Sequence, residues 1–375
     1  MQRVLNSANI VRTRDESDFQ MINSIDIKNF RCFKEQKITG LKRFNFIVGE
    51  SGSGKTALLE SIFLAGGANP EIYFRVRRWR GFSEALQMEG TKYAYESVFR
   101  DLFYNFRQET GAYIRLQDSE RGYRSLQIGY ESNEALDLPL KASSSASEDV
   151  FTVPPIVFKW ENPKQISRSE VEVREDGRLK MTGKRDVYPV TFVNPQTINA
   201  AQNALRYSEL SKRNKESLFF EALHHVFPEV HGVSLEAIAG EFMIHVSLDG
   251  LSEKLPIVDL SGGMNKYISI VLSVISMANG AVIVDEMENG FYYRSLPMML
   301  RNMMELCEEN KTQLFATTHS YEFLQSVAEV IRKDDKLKKH TTLVRLERDH
   351  AEQPSIKVID GHGYEAAISS NFEVR

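Results

Sequence analysis

Eight consecutive residues have the types and spacing of a loop that binds phosphate groups. They read Gly49-Glu50-Ser51-Gly52-Ser53-Gly54-Lys55-Thr56. The glycines let the backbone turn tightly and point successive N–H groups at a β-phosphate, while Lys55 can reach the β- and γ-phosphates. The Thr56 hydroxyl is of the type that ligates Mg²⁺ beside such a loop. This segment therefore predicts binding of a nucleoside triphosphate together with Mg²⁺.

Two adjacent acids, Asp285 and Glu286, follow about 230 residues after Lys55. They end the apolar run Ala281–Val284, which is typical of a parallel strand buried on both faces. Ligands of open α/β sheets sit at the carboxyl ends of the strands, so the pair is expected beside the phosphate loop. In that position Asp285 would hold Mg²⁺ and Glu286 would polarise the attacking water.

Two further segments could contact the same phosphates. Leu260-Ser261-Gly262-Gly263 precedes an apolar helical run, and at a helix start its hydroxyl and N–H groups can meet an anion. The same residues could be an ordinary helix cap. His319 ends the apolar segment Gln313–Ser320, where a neutral imidazole could hydrogen-bond a γ-phosphate or serve a purely structural role.

The elements that must position these residues can be read from the apolar patterning. Strands are predicted at Phe44–Val48, Ala281–Val284 and Gln313–Ser320, and helices at Thr56–Leu64 and Tyr267–Ile275. Each candidate residue then falls at the end of a strand or the start of a helix. The pattern is that of an α/β protein with a largely parallel sheet.

Taken together, the phosphate loop, the Leu-Ser-Gly-Gly segment, the Asp-Glu pair and the strand-end histidine resemble the ATP-binding-cassette ATPase superfamily. Asn29-Phe30-Arg31-Cys32-Phe33 is similar to the opening motif of its RecF, SMC and OLD (overcoming lysogenization defect) members. Asp285-Glu286-Met287-Glu288-Asn289-Gly290 and Ala316-Thr317-Thr318-His319-Ser320 resemble runs of OLD-like ATPases from bacterial and phage-defence operons. The fold class implied is α/β, an ABC-ATPase head: a P-loop NTPase with a mixed sheet core, an antiparallel β lobe and a helical lobe or insert.

The resemblance also implies roles for individual residues. The residues that would bind ATP within one subunit are Gly49, Glu50, Ser51, Gly52, Ser53, Gly54, Lys55, Thr56 and Arg31. Lys55, Glu286 and His319 would be catalytic, and Thr56 and Asp285 would hold Mg²⁺. Ser261, Gly262 and Gly263 would contact ATP held by the opposite subunit, so that two active sites form when two copies meet face to face. The glutamine that links nucleotide to the lateral lobe in this superfamily has no clear match, although Gln108 and Gln117 lie in the expected region.

The domain organisation that follows is one ATPase domain at residues 22–375, preceded by a flexible N-terminal arm at residues 1–21. Core segments 22–70 and 255–375 would enclose an inserted β and helical lobe at 71–254. The insert carries strand-like pieces and a helical hairpin over Ala200–Phe227, without the long heptad repeat of an SMC arm. The chain is also expected to lack the nuclease domain that follows the ATPase in full-length OLD proteins.

Composition agrees with an intracellular enzyme. The chain has 375 residues, a net charge of −4 and two cysteines, and it lacks an apolar run of the roughly 20 residues that cross a membrane. A cytoplasmic location is therefore expected. One basic patch, Arg75-Val76-Arg77-Arg78-Trp79-Arg80, could bind nucleic acid, an acidic protein partner, or only solvent.

The favoured hypothesis is an ATP-hydrolysing molecular switch that forms a homodimer or higher homo-oligomer and controls a separate effector. That effector would be a toxin or nuclease in bacterial antiviral defence. A RecF-like DNA-binding repair ATPase is the main alternative, and it would need a continuous basic surface across the dimer. A transporter's nucleotide-binding subunit is a third reading, against which the long insert and the Asp-Glu-x-Glu-Asn-Gly run both argue.

Overall fold

The computed structural model describes residues 21–81, 97–131, 154–173, 179–182, 188–194, 199–238, 240–348 and 354–370. The predicted N-terminal arm lies outside these residues except for Met21. The strands are β1 Ile22–Phe30, β2 Phe33–Thr39, β3 Phe44–Gly49, β4 Ala112–Asp118, β5 Gly122–Tyr130, β6 Ile156–Asn162, β7 Gln165–Val173, β8 Leu179–Thr182, β9 Val190–Val193, β10 Val230–Ile238, β11 Glu241–Leu248, β12 Leu255–Pro256, β13 Ala281–Val284, β14 Gln313–Thr317, β15 Thr341–Glu347 and β16 Ser355–Asp360. The α-helices are α1 Lys55–Ala65, α2 Glu71–Trp79, α3 Ala200–Ser211, α4 Glu216–Val226, α5 Gly262–Ser276, α6 Leu296–Glu309, α7 Tyr321–Arg332, α8 Asp335–Lys339 and α9 Gly361–Ser369.

A six-stranded sheet in the order β16-β15-β3-β14-β13-β9 forms the centre of the molecule. All neighbouring strands from β15 to β9 run parallel, and β16 pairs antiparallel with β15 at one edge. The strands predicted at Phe44–Val48 and Ala281–Val284 are confirmed, and the strand predicted at Gln313–Ser320 is present but ends at Thr317, because Ser320 caps the helix that follows. The three strands are adjacent in the order β3, β14, β13. Their carboxyl ends therefore lie at one edge of the sheet, where the candidate residues follow them.

A second, seven-stranded sheet in the order β2-β1-β4-β5-β6-β7-β8 is antiparallel throughout. Helix α1 lies between the two sheets, packed against strands of both, which is why all of its residues except Thr56 are buried. The side chain of Gln313 joins the sheets, because its Oε1 accepts from the backbone N–H of Ile22 at 2.8 Å and its Nε2 donates to the Ile22 carbonyl at 2.7 Å. These two hydrogen bonds link the two sheets that enclose α1, the helix that begins at the phosphate loop.

The opposite face of the parallel sheet packs on helices α4, α5, α6 and α7 in a second apolar core. The predicted helical hairpin at Ala200–Phe227 is present as α3 and α4, and a small antiparallel sheet of β10, β11 and β12 packs beside it. Faces alternate along each central strand: Ile283 points toward α1, whereas Val282 and Val284 belong to the core around α5. This alternation explains why β13 is apolar at every position.

The predicted core and insert are interleaved in space. Strands β1 and β2, from the segment 22–70, complete the antiparallel sheet formed by 112–182, whereas β9, from within 71–254, forms the edge of the parallel sheet next to β13. The division of the chain into core segments and an inserted lobe stays a prediction. Within the described ranges, no helix combines the length and apolarity required to cross a membrane.

Candidate functional site

The phosphate loop connects β3 to α1 and has the backbone conformation that its glycines predict. Gly49, Gly52 and Gly54 all have positive φ, with Gly54 at +101°. A Cβ on Gly54 would lie 2.7 Å from Sγ of Cys32, so the loop is also packed too tightly for a larger residue there. The outer residues Glu50 and Ser51 are exposed, which leaves that side of the loop open to a ligand.

Lys55 opens α1 and folds back onto the loop. Its Nζ donates to the carbonyls of Gly49 at 2.6 Å and Glu50 at 2.8 Å. Burial lowers the pKa of Lys55, and the carboxylates of Asp285, Glu288 and Glu286 act on that pKa in the opposite direction. The lysine therefore lies within electrostatic reach of all three acids, although about 230 residues separate them along the chain.

The loop fits a phosphate group. Ser53 is fully buried, and its hydroxyl has no hydrogen-bond partner among the residues that the structure describes. A buried polar atom of this kind is costly unless something bonds to it. Together with the left-handed glycines and the lysine, it gives a cradle suited to an anion at the start of α1. Thr56 is the one exposed residue of that helix, so its hydroxyl is accessible beside the cradle.

The acidic pair follows β13 and is held from the neighbouring strand. Thr317, at the end of β14, donates its hydroxyl to Oδ1 of Asp285 and accepts from the backbone N–H of Glu286 at 2.8 Å. Glu286 has φ +48°, a left-handed conformation that is uncommon for a residue with a side chain. Its Oε2 accepts from Nδ2 of Asn289 at 2.6 Å. These contacts direct both carboxylates toward the edge of the sheet where Lys55 lies.

Lys266 was not predicted from the sequence and is one of the residues that hold the acidic loop. It lies on α5, is almost fully buried, and its Nζ donates to the carbonyl of Glu286 and, at 3.4 Å, to that of Asn289. Burial lowers its pKa to about 8, against the raising effect of Glu288, Glu286 and Asp285. The feature of the sequence that could have indicated Lys266 was a lysine near the start of an otherwise apolar helix.

We expect Lys266→Met to lower the rate of nucleotide hydrolysis about 10- to 100-fold, because the strained backbone of Glu286 would lose its support and its carboxylate would move. Nucleotide affinity should remain close to that of the parent. Steady-state hydrolysis and a nucleotide-binding titration on the same preparations measure both effects. Lys266→Arg keeps a cation and should recover part of the rate. A purely structural role is indicated instead if both variants lose thermal stability and hydrolysis in parallel.

The Leu-Ser-Gly-Gly segment forms the start of α5. Ser261 is the N-cap, with its hydroxyl accepting from the backbone N–H of Met264 at 3.3 Å, and both Ser261 and Gly262 are exposed. Gly263 is buried against the acidic loop, since a Cβ there would lie 2.2 Å from the carbonyl oxygen of Gly290. The helix start is thus fixed against the acidic loop, with Ser261 and Gly262 at the surface.

His319 follows β14 and is exposed. Its backbone N–H donates to Oε1 of Glu288 at 2.8 Å, which ties the segment after β14 to the acidic loop. Glu288 is a second residue that was not predicted: its other oxygen, Oε2, is buried without a hydrogen-bond partner among the described residues. The acidic loop therefore presents two glutamates to the site, and the sequence indicated a role for only one of them.

Arg31 lies beside the phosphate loop, in the turn between β1 and β2. Its guanidinium is buried and paired with two carboxylates, Glu60 at 3.1 Å and Asp101. Its Nη2 is buried without a hydrogen-bond partner among the described residues, and the role of Arg31 toward a nucleotide stays a prediction. Gln117 donates to the carbonyl of Gly122 at 2.6 Å within the β4–β5 hairpin, and the Gln108 carbonyl accepts from the N–H of Gly111 in the turn that leads into β4.

The four predicted segments thus converge on one edge of the parallel sheet. The backbone links are short: Met287 donates its N–H to the Thr317 carbonyl at 2.9 Å, and Thr318 donates to the Ile47 carbonyl at 3.1 Å. The chemistry available is a phosphate cradle with one lysine, the oxygens of Thr56 and Asp285, which are of the type that Mg²⁺ prefers, and two glutamates that could activate water.

Comparison with known proteins gives a family match and several similar chains. A family model described as "AAA domain, putative AbiEii toxin, Type IV TA system" matches residues 44–325 of the chain. An ATP/GTP phosphatase of Helicobacter pylori is 24% identical over 357 residues, covering 84% of this chain and 90% of that protein. A DNA replication and repair protein RecF of Acetivibrio thermocellus is 28% identical over 137 residues, 35% of this chain and 31% of that protein. The SMC head domain from Thermotoga maritima aligns with a TM-score of 0.44 at 13% identity, covering 90% of this chain and 99% of that one.

Proposed function

The chain belongs to this AAA-domain family and is an ABC-superfamily ATPase of the RecF/SMC-like group, and from that premise we propose that it is an ATP-driven molecular switch. Two copies close around ATP, hydrolyse it and separate, and the closed state controls a separate effector protein. The observation that carries the proposal is the position of Ser261. It is exposed at a helix start fixed to the acidic loop, and its hydroxyl, which accepts from the Met264 N–H, can still donate to a nucleotide held by another copy.

The surface around Ser261 supports a face-to-face dimer. Tyr292 and Tyr293 follow the acidic loop, and their side chains are 60% and 51% exposed. Arg294 lies over both rings, at 6.0 and 5.6 Å from their centroids. Exposed aromatic rings with an arginine are typical of protein interfaces, and their position next to the acidic loop favours a second copy of this chain as the partner.

Within one subunit, the phosphate loop and Lys55 bind the phosphates of ATP. Thr56 and Asp285 supply the oxygen ligands that Mg²⁺ prefers, and the ion would neutralise phosphate charge there. Glu286, held by Thr317, Lys266 and Asn289, accepts a proton from the attacking water. His319 hydrogen-bonds the γ-phosphate and is released when that phosphate leaves.

The switch follows from where the γ-phosphate lies. In the closed dimer it bridges the phosphate loop of one copy and the helix start of α5 in the other, so its charge binds both subunits. Hydrolysis removes the bridge, and the equilibrium shifts toward separated subunits by the difference in affinity between the two states.

The effector is proposed to be a toxin or nuclease of an antiviral defence system. The support is the family description, which names a toxin–antitoxin system, and the resemblance of the acidic loop to OLD-like ATPases. A DNA-binding repair ATPase is the second candidate, favoured by the partial match to a RecF protein. The two differ in what the closed dimer retains, protein or DNA.

Native mass spectrometry of the tagged full chain, isolated from its own host in the presence of ATP and Mg²⁺, distinguishes these functions. We expect a dimer or larger assembly that carries one defined second protein, and we expect that protein to be absent when Lys55→Ala is isolated in parallel. A dimer that retains DNA in place of a protein would favour the repair function. An assembly with the same composition in both preparations would contradict nucleotide control.

A further inference from the structure

A second cleft lies away from the phosphate loop, with a volume of about 1020 Å³. It is bounded by the carboxyl-terminal part of α1, helix α2, the edge strand β9, helix α3 and the end of α5. A volume of this size accommodates a small organic ligand such as a nucleotide. The basic patch that the sequence analysis left open, Arg75–Arg80, supplies one of its walls.

The cleft is separate from the ATP site. Phe63, in its wall, is eight residues beyond Lys55 on α1, which corresponds to about 12 Å along the helix axis. Met277, also in the wall, follows the last residue of α5, whereas Ser261 caps the first turn of that helix. Both helices that begin at the nucleotide site therefore end at the cleft.

The charge in the cleft is strongly positive. Four arginines contribute to the lining, Arg75, Arg78, Arg206 and Arg213, against one acid, Glu209. Glu209 is exposed and pairs with Lys212 at 2.7 Å, and Arg75 forms an exposed pair with Glu71 at 3.2 Å. Exposed ion pairs of this kind are weak and exchange readily, so neither prevents the arginines from meeting an anion.

Arg206 is the most informative of the four because it is half-buried and, among the described residues, no carboxylate pairs with it. Its Nη2 donates to the neutral hydroxyl of Thr191 on β9 at 2.7 Å. Burial lowers its pKa to about 10, and no described carboxylate acts to raise it. A half-buried cation whose partner among the described residues is a neutral hydroxyl is unfavourable, and an anionic ligand would compensate its charge.

An aromatic wall stands beside these cations. Trp79 is half-buried and packs with Phe63 and Phe192, with ring centroids 5.1 and 5.0 Å away. A fixed flat ring next to arginines is the combination that binds a base by stacking and its phosphate by charge-assisted hydrogen bonds. An acidic peptide would use the arginines but would have no need for the aromatic wall.

We propose that this cleft binds a phosphorylated nucleoside, with the phosphate at Arg206 and Arg213 and the base against Trp79. A phosphorylated nucleoside of this kind could be a free mononucleotide or the terminal nucleotide of a single strand. Because the site lies at the far ends of α1 and α5, this binding does not depend on ATP hydrolysis or on the proposed switch.

Tryptophan fluorescence tests the proposal directly, since the chain has two tryptophans and the second, Trp160, is fully buried with its Nε1 bonded to the Leu64 carbonyl. The protein is the full-length Lys55→Ala variant, so that the phosphate loop contributes little binding. The probes are thymidine 5′-monophosphate and a 5′-phosphorylated thymidine hexanucleotide. We expect saturable quenching by at least one of them, and the quenching should disappear in a Trp79→Phe background.

Three charge variants decide the assignment, with equilibrium dialysis of labelled probe as the second measurement. Arg206→Gln and Arg213→Gln should each weaken binding about 10- to 100-fold, whereas Arg301→Gln, an exposed arginine on α6 paired with Glu305, should leave it unchanged. Arg213 is exposed, so its variant remains informative even if Arg206→Gln unfolds. Binding of the mononucleotide identifies a free nucleotide as the source, and binding of the hexanucleotide alone identifies a strand end. The proposal is overturned if neither probe binds, if all three variants bind equally, or if hexaglutamate binds in place of both probes.

Discussion

Glu286→Gln is expected to bind ATP as the parent does and to hydrolyse it about 10²- to 10⁴-fold more slowly, the usual contribution of a positioned general base. Because the bridging γ-phosphate then stays in place, the variant should accumulate as a closed dimer in ATP and Mg²⁺. Single-turnover hydrolysis and sedimentation velocity, each with ATP and with ADP, measure the two effects. Glutamine has the same shape as glutamate and can still bond to Asn289, so the loop conformation should persist.

Glu288 provides the matched control because it lies two residues away and acts on the same lysines. Its Oε1 accepts from the backbone of His319 and its Oε2 is buried, which makes it less accessible to an attacking water than Glu286. We therefore expect Glu288→Gln to lose less activity and not to trap a dimer. If Glu288→Gln is the slower enzyme and Glu286→Gln turns over at the parental rate, the base has been assigned to the wrong glutamate.

The central part of this site could be predicted from the sequence because each motif is local. A continuous apolar strand followed by Asp285 and Glu286, or a glycine-rich turn followed by Lys55, needs no long-range information to interpret. The parallel sheet could also be predicted, since a strand such as β13 that is apolar at every position must be covered on both faces. Helix and strand positions near the motifs were accordingly confirmed to within a few residues.

The support of the site could not be predicted, because it depends on contacts between distant segments. Lys266 reaches the Glu286 carbonyl, and Thr317 bonds to Asp285, only after α5, β13 and β14 are packed together. Strand β1 pairs across the chain with β4, a register that apolar patterning does not determine. The second cleft was still harder to predict from the sequence. Trp79 and Arg206 are separated by more than 120 residues, and β9 brings them together.

A mixture of Lys55→Ala and Ser261→Arg subunits is expected to regain hydrolysis that neither variant has alone. Lys55→Ala removes the phosphate-binding cation, and Ser261→Arg places a bulky charge where the γ-phosphate of the partner's ATP would lie. If each site combines Lys55 of one copy with Ser261 of the other, a heterodimer has one intact site and one site with both defects. Random pairing makes half of the dimers heterodimers, so about a quarter of all sites should be intact.

The double variant Lys55→Ala/Ser261→Arg, mixed with parent protein, is the matched control because it contains the same substitutions in one subunit. With composite sites, this mixture also has about a quarter of its sites intact, all of them in parental homodimers. If each site instead lay within one subunit, the mixture of single variants would have no intact site and the control about half. Hydrolysis rates of the two mixtures, measured against the parent, therefore separate the arrangements. Equal rates would support the composite site, in which the exposed Ser261 acts on the nucleotide of the neighbouring subunit. An inactive mixture of single variants would contradict the composite site.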